Sequence, residues 1–334
     1  MLKIKNFKEV DNVTTIGFFS PSTPITATSP QRFKRALTFL QNKGIKLVAG
    51  NLTGKQDGYR AGSIQARVAE LNALIQNPQV EVIMATIGGT NSNALLPYID
   101  YETLKKHPKT FVGYSDMTAI LLAIKIRVPA CRVLYGPALV ASFGEFEPLV
   151  SQTWQNFIHV LQTPNGGAVT IQAPKQWTDE VLNWNEFTRP KTLRDNQWVY
   201  TRTTQLSGRI MGGNLNTMYG FINSPYFPKF SHHDLLFIED AEKDAATVEK
   251  NFAMLKNAGI FYQVKGIILG KHAVFDDCDT GRKPLDILQE VLDDNHLPII
   301  ADYVSCHTVP MITTPIGSMA SFDAQKMQVT FSNF

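Results

Sequence analysis

Residues 110–122 read TFVGYSDMTAILL, and this stretch predicts a strand that turns sharply into a helix. The apolar residues before Gly113 are typical of a buried strand, and the apolar run after Asp116 is typical of a helix. At such a corner the hydroxyl of Ser115 projects from the turn, and the backbone N–H of Asp116 lies at a helix N-terminus, where negative charge is favoured. A Ser-Asp pair is also an ordinary helix N-cap with a first-turn acid, so both interpretations stay open at this point.

The segments before this corner alternate between strands and helices. The apolar patterns predict strands over residues 14–19, 45–48 and 80–87 and helices over residues 30–43 and 64–75, and the third strand ends at Gly88-Gly89-Thr90. Such alternation predicts a parallel sheet covered on both faces, whose ligands collect at the carboxyl ends of the strands. We therefore expect an α/β protein of two lobes, whose N-terminal domain has a parallel sheet of the flavodoxin or glutaminase type with a nucleophile elbow.

The second half of the chain predicts a further domain after an irregular segment. All four tryptophans lie in residues 144–204 among proline and polar residues, which is typical of a linker that carries a loop. One helix is predicted within it, over residues 149–161. Regular alternation resumes with strands over residues 206–211, 234–239, 264–269 and 297–301 and helices over 245–258 and 284–293. The predicted domains are residues 1–143, a linker with a substrate loop over 144–204, and a C-terminal α/β or β-rich domain over 205–334.

Composition excludes several classes of function. Charged residues make up 18% of the chain and the net charge of +3 has no basic cluster behind it, which gives no support for a nucleic-acid partner. Residues 1–13 lack the apolar stretch of a signal peptide, and the longest apolar run, 119–124, is far too short to cross a membrane. Three scattered cysteines fit neither a disulfide framework nor a metal site, so we expect a cytoplasmic protein.

A catalytic serine needs a base to accept its proton and a carboxylate to orient that base. Five of the seven histidines lie in polar or helical contexts typical of the surface, but His272 and His307 each follow a predicted strand and either could line a cleft. Glu239 ends a strand whose preceding four residues are apolar, which suits either a catalytic acid or an acid that caps the next helix.

Three other patterns predict neither a metal nor a cofactor. Residues 276–281, DDCDTG, lack the ligand run of a calcium loop and are typical of a solvated turn. Cys306 is a poor partner for His307, because neighbouring side chains of an extended segment point to opposite sides. Gly88-Gly89-Thr90 lacks the lysine of a phosphate-binding loop and the third glycine of a dinucleotide fingerprint, which leaves an oxyanion loop or a plain turn.

Several motifs in order along the chain resemble the LD-carboxypeptidase family of serine peptidases, and more specifically its microcin C7 immunity branch. The matching segments are residues 16–24, TIGGTNSN at 86–93, GYSD at 113–116, GGNL at 212–215, IED at 238–240, and His307 ahead of PIG at 315–317. The resemblance spans residues 14–325. It implies that Ser115 is the nucleophile, His307 the general base and Glu239 its orienting acid.

The resemblance further implies that the N–H groups of Gly89 and Asp116 form an oxyanion hole, that no cofactor is needed and that the protein is a homodimer. Murein-directed members of the family have arginine where this chain has Ile87, which favours an aminoacyl or peptidyl nucleotide as the small-molecule substrate.

In the microcin branch a loop tryptophan stacks on the nucleobase, and Trp184 is the matching residue here; packing of Trp184 against the second domain is the structural alternative. Lys243 and Asn216 match positions that contact the nucleotide or the acyl group. Two functional alternatives stay open. One is a murein L,D-carboxypeptidase that releases D-Ala from a tetrapeptide, and the other is a non-catalytic protein that binds a small molecule.

Overall fold

The computed structural model describes residues 14–293 and 296–334, so the charged segment 1–13, which lacks a signal-peptide pattern, lies outside the described residues. The strands are β1 Thr15–Phe19, β2 Lys46–Ala49, β3 Val82–Ala85, β4 Thr110–Gly113, β5 Arg132–Tyr135, β6 Ala168–Gln172, β7 Gln176–Trp177, β8 Arg194–Asp195, β9 Val199–Thr201, β10 Gln205–Asn214, β11 Asp234–Glu239, β12 Gly266–Gly270, β13 Ile299–Tyr303, β14 Thr314–Pro315, β15 Met319–Asp323 and β16 Gln328–Ser332.

The α-helices are α1 Ile25–Thr28, α2 Pro30–Asn42, α3 Ile64–Gln76, α4 Tyr101–Lys106, α5 Thr118–Arg127, α6 Leu139–Phe143, α7 Leu149–Gln162, α8 Leu215–Tyr219, α9 Ala245–Asn257 and α10 Pro284–Leu292. Short 3-10 helices span Ser92–Tyr98, Ser115–Met117 and Ile260–Tyr262. No helix among the described residues is long and apolar enough to cross a membrane.

The first sheet has the order β14-β5-β4-β3-β1-β2, and its five N-terminal strands are all parallel. Every residue of β1 and β3 is buried, because helices cover both faces of a parallel sheet and leave no side of the strand in water. The sixth strand, β14, comes from the C-terminal part of the chain and pairs antiparallel with β5. Backbone hydrogen bonds therefore connect a segment of the C-terminal part of the chain to the first sheet.

The second sheet has the order β6-β16-β15-β10-β11-β12-β13-β9. Its centre, β10 to β13, is parallel, and antiparallel strands complete both sides. The burial pattern of β10 changes along the strand. Exposed and buried residues alternate over its first half, and its last five residues are all buried. The second half of β10 thus enters the core against the first sheet, and its carboxyl end lies at the same interface as Glu239.

The predicted fold class, an α/β protein with a parallel-sheet N-terminal domain and a sheet-rich C-terminal domain, is confirmed. Helices and strands of the parallel units lie within a few residues of the predicted bounds, whereas β15 and β16 were not predicted. The segment predicted as a linker contains α7 and supplies β6 and β9 to the second sheet. The domain bounds at 143 and 204 stay predictions.

Candidate active site

Ser115 occupies a sharp corner between β4 and α5. The strand ends at Gly113, a single 3-10 turn covers Ser115–Met117, and α5 begins at Thr118. The backbone of Ser115 has φ of 61°, in the left-handed region that costs a residue with a side chain about 1–3 kcal/mol unless its surroundings hold it there. Its hydroxyl makes no hydrogen bond to any other described residue, so it stays available to a base and a substrate.

The Gly88-Gly89 turn after β3 packs directly against this corner. A Cβ on Gly88 would lie 2.7 Å from Cβ of Ser115 and 3.0 Å from the backbone nitrogen of Asp116, so no side chain fits there. Gly89 has φ of 143° and its Cβ would lie 2.2 Å from Oγ of Ser22. The N–H groups of Gly89 and Asp116 donate no hydrogen bond to any other described residue, and both residues line the same cleft.

The carboxylate of Asp116 holds the loop that follows these glycines. It accepts hydrogen bonds from the N–H groups of Asn91 and Ser92 at 3.0 and 2.9 Å. On the other side of the loop, the buried Arg67 donates to Oδ1 of Asn91 at 2.7 Å, and Oγ of Ser22 donates to the same oxygen at 2.9 Å. Burial raises the pKa of Asp116 despite these bonds. The loop and the corner are thus fixed to each other through buried polar contacts.

Glu239 and His307 form a hydrogen-bonded pair in which Nδ1 of His307 donates to Oε2 of Glu239 at 2.8 Å. Glu239 is fully buried and the side chain of His307 is 22% exposed. Burial by itself raises the pKa of Glu239, but the charge and hydrogen bond of His307 bring that pKa below its usual value. Burial by itself lowers the pKa of His307, and the Glu239 carboxylate outweighs it and raises that pKa. The pair therefore favours the charged imidazolium that a general base becomes.

The second oxygen of Glu239 has two further donors. Nδ2 of Asn214 donates to Oε1 at 3.0 Å, and the hydroxyl of Tyr135 donates a short hydrogen bond to the same oxygen. The neighbouring Asp240 accepts from the N–H of Asn216 at 3.1 Å, and burial together with the charge of Glu239 raises the pKa of Asp240 to about 6. The carboxylate of Glu239 is thus fully hydrogen-bonded, which is how a buried charge is tolerated.

The cleft between the two sheets has a volume of about 360 Å³. Seven of the eight predicted site residues line this cleft: Gly89, Ser115, Asp116, Trp184, Asn216, Lys243 and His307. Glu239 lies behind His307 and contacts the cleft through it. The edge of the His307 ring meets the ring of Tyr114, with 4.9 Å between the ring centroids.

Trp184 lies in the loop between β7 and β8, residues 178–193, which we call the substrate loop. Its ring covers the guanidinium of Arg32, whose Cζ lies 4.2 Å from the ring centroid. Arg35 donates to the backbone oxygens of Trp184 and Asn185 at 2.6 and 2.7 Å. Both arginines belong to α2, so the part of the loop around Trp184 is held to the N-terminal half of the protein. The start of the loop is held to the C-terminal part, because Thr178 and Val309 exchange two backbone hydrogen bonds.

The remaining sequence patterns lie away from the cleft. Imidazole Nδ1 of His272 lies 3.2 Å from the backbone oxygen of Gly270, its ring packs on Phe252, and burial lowers the pKa of His272 to about 4. Cys306 is buried, and burial raises the pKa of its thiol to about 12. Asp277 in the 276–281 segment accepts backbone N–H groups of its own exposed turn. No cluster of three or more His, Cys, Asp or Glu placed to hold a metal occurs among residues 14–293 and 296–334.

Sequence reasoning missed the side chains that orient the predicted residues. No sequence motif marks Tyr135 or Arg32, because their partners are far away in sequence. Asn214 was part of a matched motif without a role, yet it donates to Glu239, and its own amide oxygen caps α8 by accepting from Thr217 at 2.9 Å. Strand-end position was the one available signal, since Tyr135 ends β5 and Asn214 ends β10.

Comparison with known proteins adds a consistent set of relatives. The sequence profiles of the LD-carboxypeptidase N-terminal and C-terminal domains match residues 16–136 and 207–322. The microcin C7 self-immunity protein MccF of Escherichia coli is 45% identical over 95% of this chain and 93% of its own. A solved structure of MccF in complex with aspartyl sulfamoyl adenosine superposes with a TM-score of 0.93 at 45% identity over 96% of each chain. The murein tetrapeptide carboxypeptidase of Pseudomonas aeruginosa is 21% identical over 76% of this chain and 75% of its own.

Proposed function

The chain belongs to the LD-carboxypeptidase family, and from that premise we propose that this serine-type hydrolase cleaves the amide bond of aminoacyl or peptidyl nucleotides such as processed microcin C7. One observation carries the proposal. Ser115, at a strained elbow with a free hydroxyl, shares a cleft with the His307–Glu239 pair on one side and with the ring of Trp184 on another. MccF, whose structure has been solved in complex with glutamyl sulfamoyl guanosine and with aspartyl sulfamoyl adenosine, has the same fold.

The proposed chemistry uses Ser115, His307 and Glu239 as a triad. Oγ of Ser115 attacks the carbonyl carbon while Nε2 of His307 takes the hydroxyl proton, and the carboxylate of Glu239 stabilises the imidazolium that results. The carbonyl oxygen becomes an oxyanion that accepts from the N–H groups of Gly89 and Asp116. Collapse breaks the C–N bond, and His307 gives its proton to the leaving nitrogen.

The second half of the reaction restores the enzyme. The amine leaves, and a water molecule takes its place beside His307. His307 accepts a proton from that water as its oxygen attacks the ester carbon, and the second tetrahedral intermediate uses the same two N–H groups. The bond to Oγ of Ser115 then breaks and His307 returns the proton to Ser115. The products are a free carboxylic acid and the released amine.

The nucleotide end of the substrate fits the other part of the cleft. A ring supported on its far side by a guanidinium is a rigid surface for stacking, and base-on-aromatic stacking contributes about 1–3 kcal/mol per base. Lys243 supplies a cation and Asn216 an amide that can contact the linkage between base and acyl group. Trp184, Lys243 and Asn216 are therefore the proposed substrate-binding residues.

A murein tetrapeptide is the second candidate substrate, because a murein tetrapeptide carboxypeptidase is among the relatives. The contrast between 45% identity to MccF and 21% identity to that enzyme favours the nucleotide. We further propose that the protein is a cytoplasmic homodimer. Its three cysteines are unpaired, in keeping with a reducing compartment, and light scattering at micromolar concentration measures its mass in solution.

The test compares the purified protein with Ser115→Ala on aspartyl sulfamoyl adenosine and on a murein tetrapeptide. We expect the wild type to cleave the nucleotide amide and the variant to lose at least about 10⁴-fold in kcat, because the nucleophile is gone while the fold is kept. Cleavage of the tetrapeptide alone would establish the second candidate. Ligand-induced thermal stabilisation of the wild type without turnover of either compound would establish a binding protein, and equal turnover by the variant would refute the role of Ser115.

A further inference from the structure

Tyr135 joins the nucleophile to the acid of the proposed triad. It ends β5 of the first sheet and its side chain is fully buried. Its hydroxyl oxygen accepts a hydrogen bond from the backbone N–H of Ser115 at 3.1 Å, and its proton is donated to Oε1 of Glu239 on β11 of the second sheet. A single hydroxyl therefore connects the two catalytic elements across the interface of the two sheets.

On the side of Ser115, this contact holds a peptide in an unfavourable conformation. The φ of 61° turns the N–H of Ser115 into the protein, where it would be left without a partner if Tyr135 lacked its hydroxyl. The same bond occupies the N–H of Ser115. The N–H groups of Gly89 and Asp116, in contrast, donate to no other described residue and lie beside the cleft, as the proposed oxyanion hole requires.

On the side of Glu239, the contact decides which oxygen meets the base. Tyr135 and Asn214 both donate to Oε1, so Oε2 is left for Nδ1 of His307. Burial and the nearby Glu239 charge raise the pKa of the Tyr135 phenol far above its ordinary value, which keeps its proton in place as a donor. The carboxylate plane is thereby fixed before any substrate arrives.

We propose that Tyr135 is a positioning residue of the triad, which fixes the Ser115 backbone and the Glu239 carboxylate relative to each other through one hydroxyl. The proposal rests on the proposed function, because it gives Ser115, Glu239 and His307 their roles. It differs from that function in assigning a task to a side chain that has no contact with the cleft. As a consequence, a shift of one sheet relative to the other would change the distance between Ser115 and Glu239.

The chain offers a matched control for the removal of this hydroxyl. Tyr303 is also fully buried at the end of a strand, and its hydroxyl bonds Oγ1 of Thr314 at 2.8 Å. The rings of Tyr135 and Tyr303 both meet Phe237 edge-on, at centroid distances of 5.2 and 5.9 Å. Tyr303→Phe therefore removes an equivalent buried hydroxyl without touching Ser115 or Glu239.

We expect Tyr135→Phe to lower kcat on aspartyl sulfamoyl adenosine by about 10- to 100-fold with KM within about 3-fold, because orientation is lost and binding is kept. Glu239 loses a hydrogen bond that stabilises its charge, so its attraction for the His307 proton grows and the acid limb of kcat/KM moves to higher pH. Tyr303→Phe should keep kcat within about 2-fold and leave the pH profile unchanged, whereas both variants lower the melting temperature to a similar extent.

A titration of the His307 imidazole by NMR gives a second reading that needs no turnover. The pKa of His307 should rise in Tyr135→Phe and stay at the wild-type value in Tyr303→Phe. Wild-type kcat and an unmoved His307 titration in Tyr135→Phe would overturn the proposal, as would equal losses in both variants. An inactive wild type with a His307 shift confined to Tyr135→Phe would refute the proposed substrate and leave the positioning role supported.

Discussion

The two sides of the cleft are built in different ways. On the reaction side, which we define as Ser115, Glu239 and His307, the first two residues lie at the ends of buried strands and His307 follows β13 by four residues. Buried partners hydrogen-bond the carboxylate of Glu239. On the other side, the substrate loop has no regular structure, and arginine side chains of α2 hold the part of it around Trp184. The first arrangement is rigid because sheet hydrogen bonds fix it, and the second depends on a few side-chain contacts.

From this difference we expect the chemistry and the choice of substrate to be separable in this protein. Strand register decides where the reacting groups lie, so changes there should affect every substrate in kcat. The substrate loop contacts only part of a substrate, so changes there should affect the affinity for compounds that reach Trp184. Substitutions on each side of the cleft test this separation.

The largest effect is expected from Gly88→Ala. The added methyl group would lie 2.7 Å from Cβ and 2.9 Å from Oγ of Ser115, where it displaces the proposed nucleophile and crowds the N–H of Asp116. Loss of one oxyanion donor alone costs about 10²–10³-fold in kcat, so we expect a fall of that size on nucleotide and peptide substrates alike. Steady-state measurements of kcat on aspartyl sulfamoyl adenosine and on a murein tetrapeptide give the size of this fall.

Gly62→Ala is the control for this change. Its Cβ would meet the side chain of Leu52 at 3.2 Å, and Gly62 is not among the residues that line the cleft. The activity of this variant should match the wild type within about 2-fold. Wild-type kcat in Gly88→Ala would show that the glycine turn has no part in the reaction side.

A smaller and more selective effect is expected from Trp184→Ala. Removing a stacking surface should raise KM for aspartyl sulfamoyl adenosine by about 10- to 100-fold and change kcat by less than about 3-fold. A substrate without a base should be unaffected. Steady-state kinetics on aspartyl sulfamoyl adenosine and on a substrate without a base gives kcat and KM separately.

Phe187→Ala removes an aromatic residue of the same loop that is 56% exposed and lies outside the cleft. It should leave both constants near the wild-type values. If Trp184→Ala lowers kcat equally for both substrates, the two sides of the cleft are not separable.

The smallest effect is expected in the pH profile. If His307 is the base, its active form is neutral, so kcat/KM should fall as pH falls through the pKa of His307. The Glu239 carboxylate outweighs burial and raises that pKa, which moves the limb to higher pH. Glu242 lines the cleft and its charge also raises this pKa. Glu242→Gln should therefore move the acid limb to lower pH, by an amount that salt reduces because Glu242 is exposed.

Glu249→Gln removes a surface charge from α9 that has no part in the pKa of His307, and its pH profile should coincide with the wild type. A limb that moves equally in both variants would indicate a general effect of net charge. An unmoved limb in Glu242→Gln would show that Glu242 has no part in setting the pKa of His307.

Sequence periodicity located most of the parallel units, because a buried strand and an amphipathic helix each follow from neighbouring residues. The corner at Ser115 was readable for the same reason. The residues by themselves left His272 and His307 equivalent, since each follows a strand. The structure separates them, because the ring of His307 meets Glu239 whereas His272 packs on Phe252.

The sequence by itself determined the two α/β units, the elbow at Ser115, the glycine turn and, through its motifs, the family. Only the tertiary structure decided that Tyr135 bridges Ser115 and Glu239 and that Arg32 supports Trp184. The physical reason is the range of the interactions. Hydrophobic periodicity and backbone conformation are local, but Tyr135 and Glu239 are 104 residues apart and meet only when the two sheets pack.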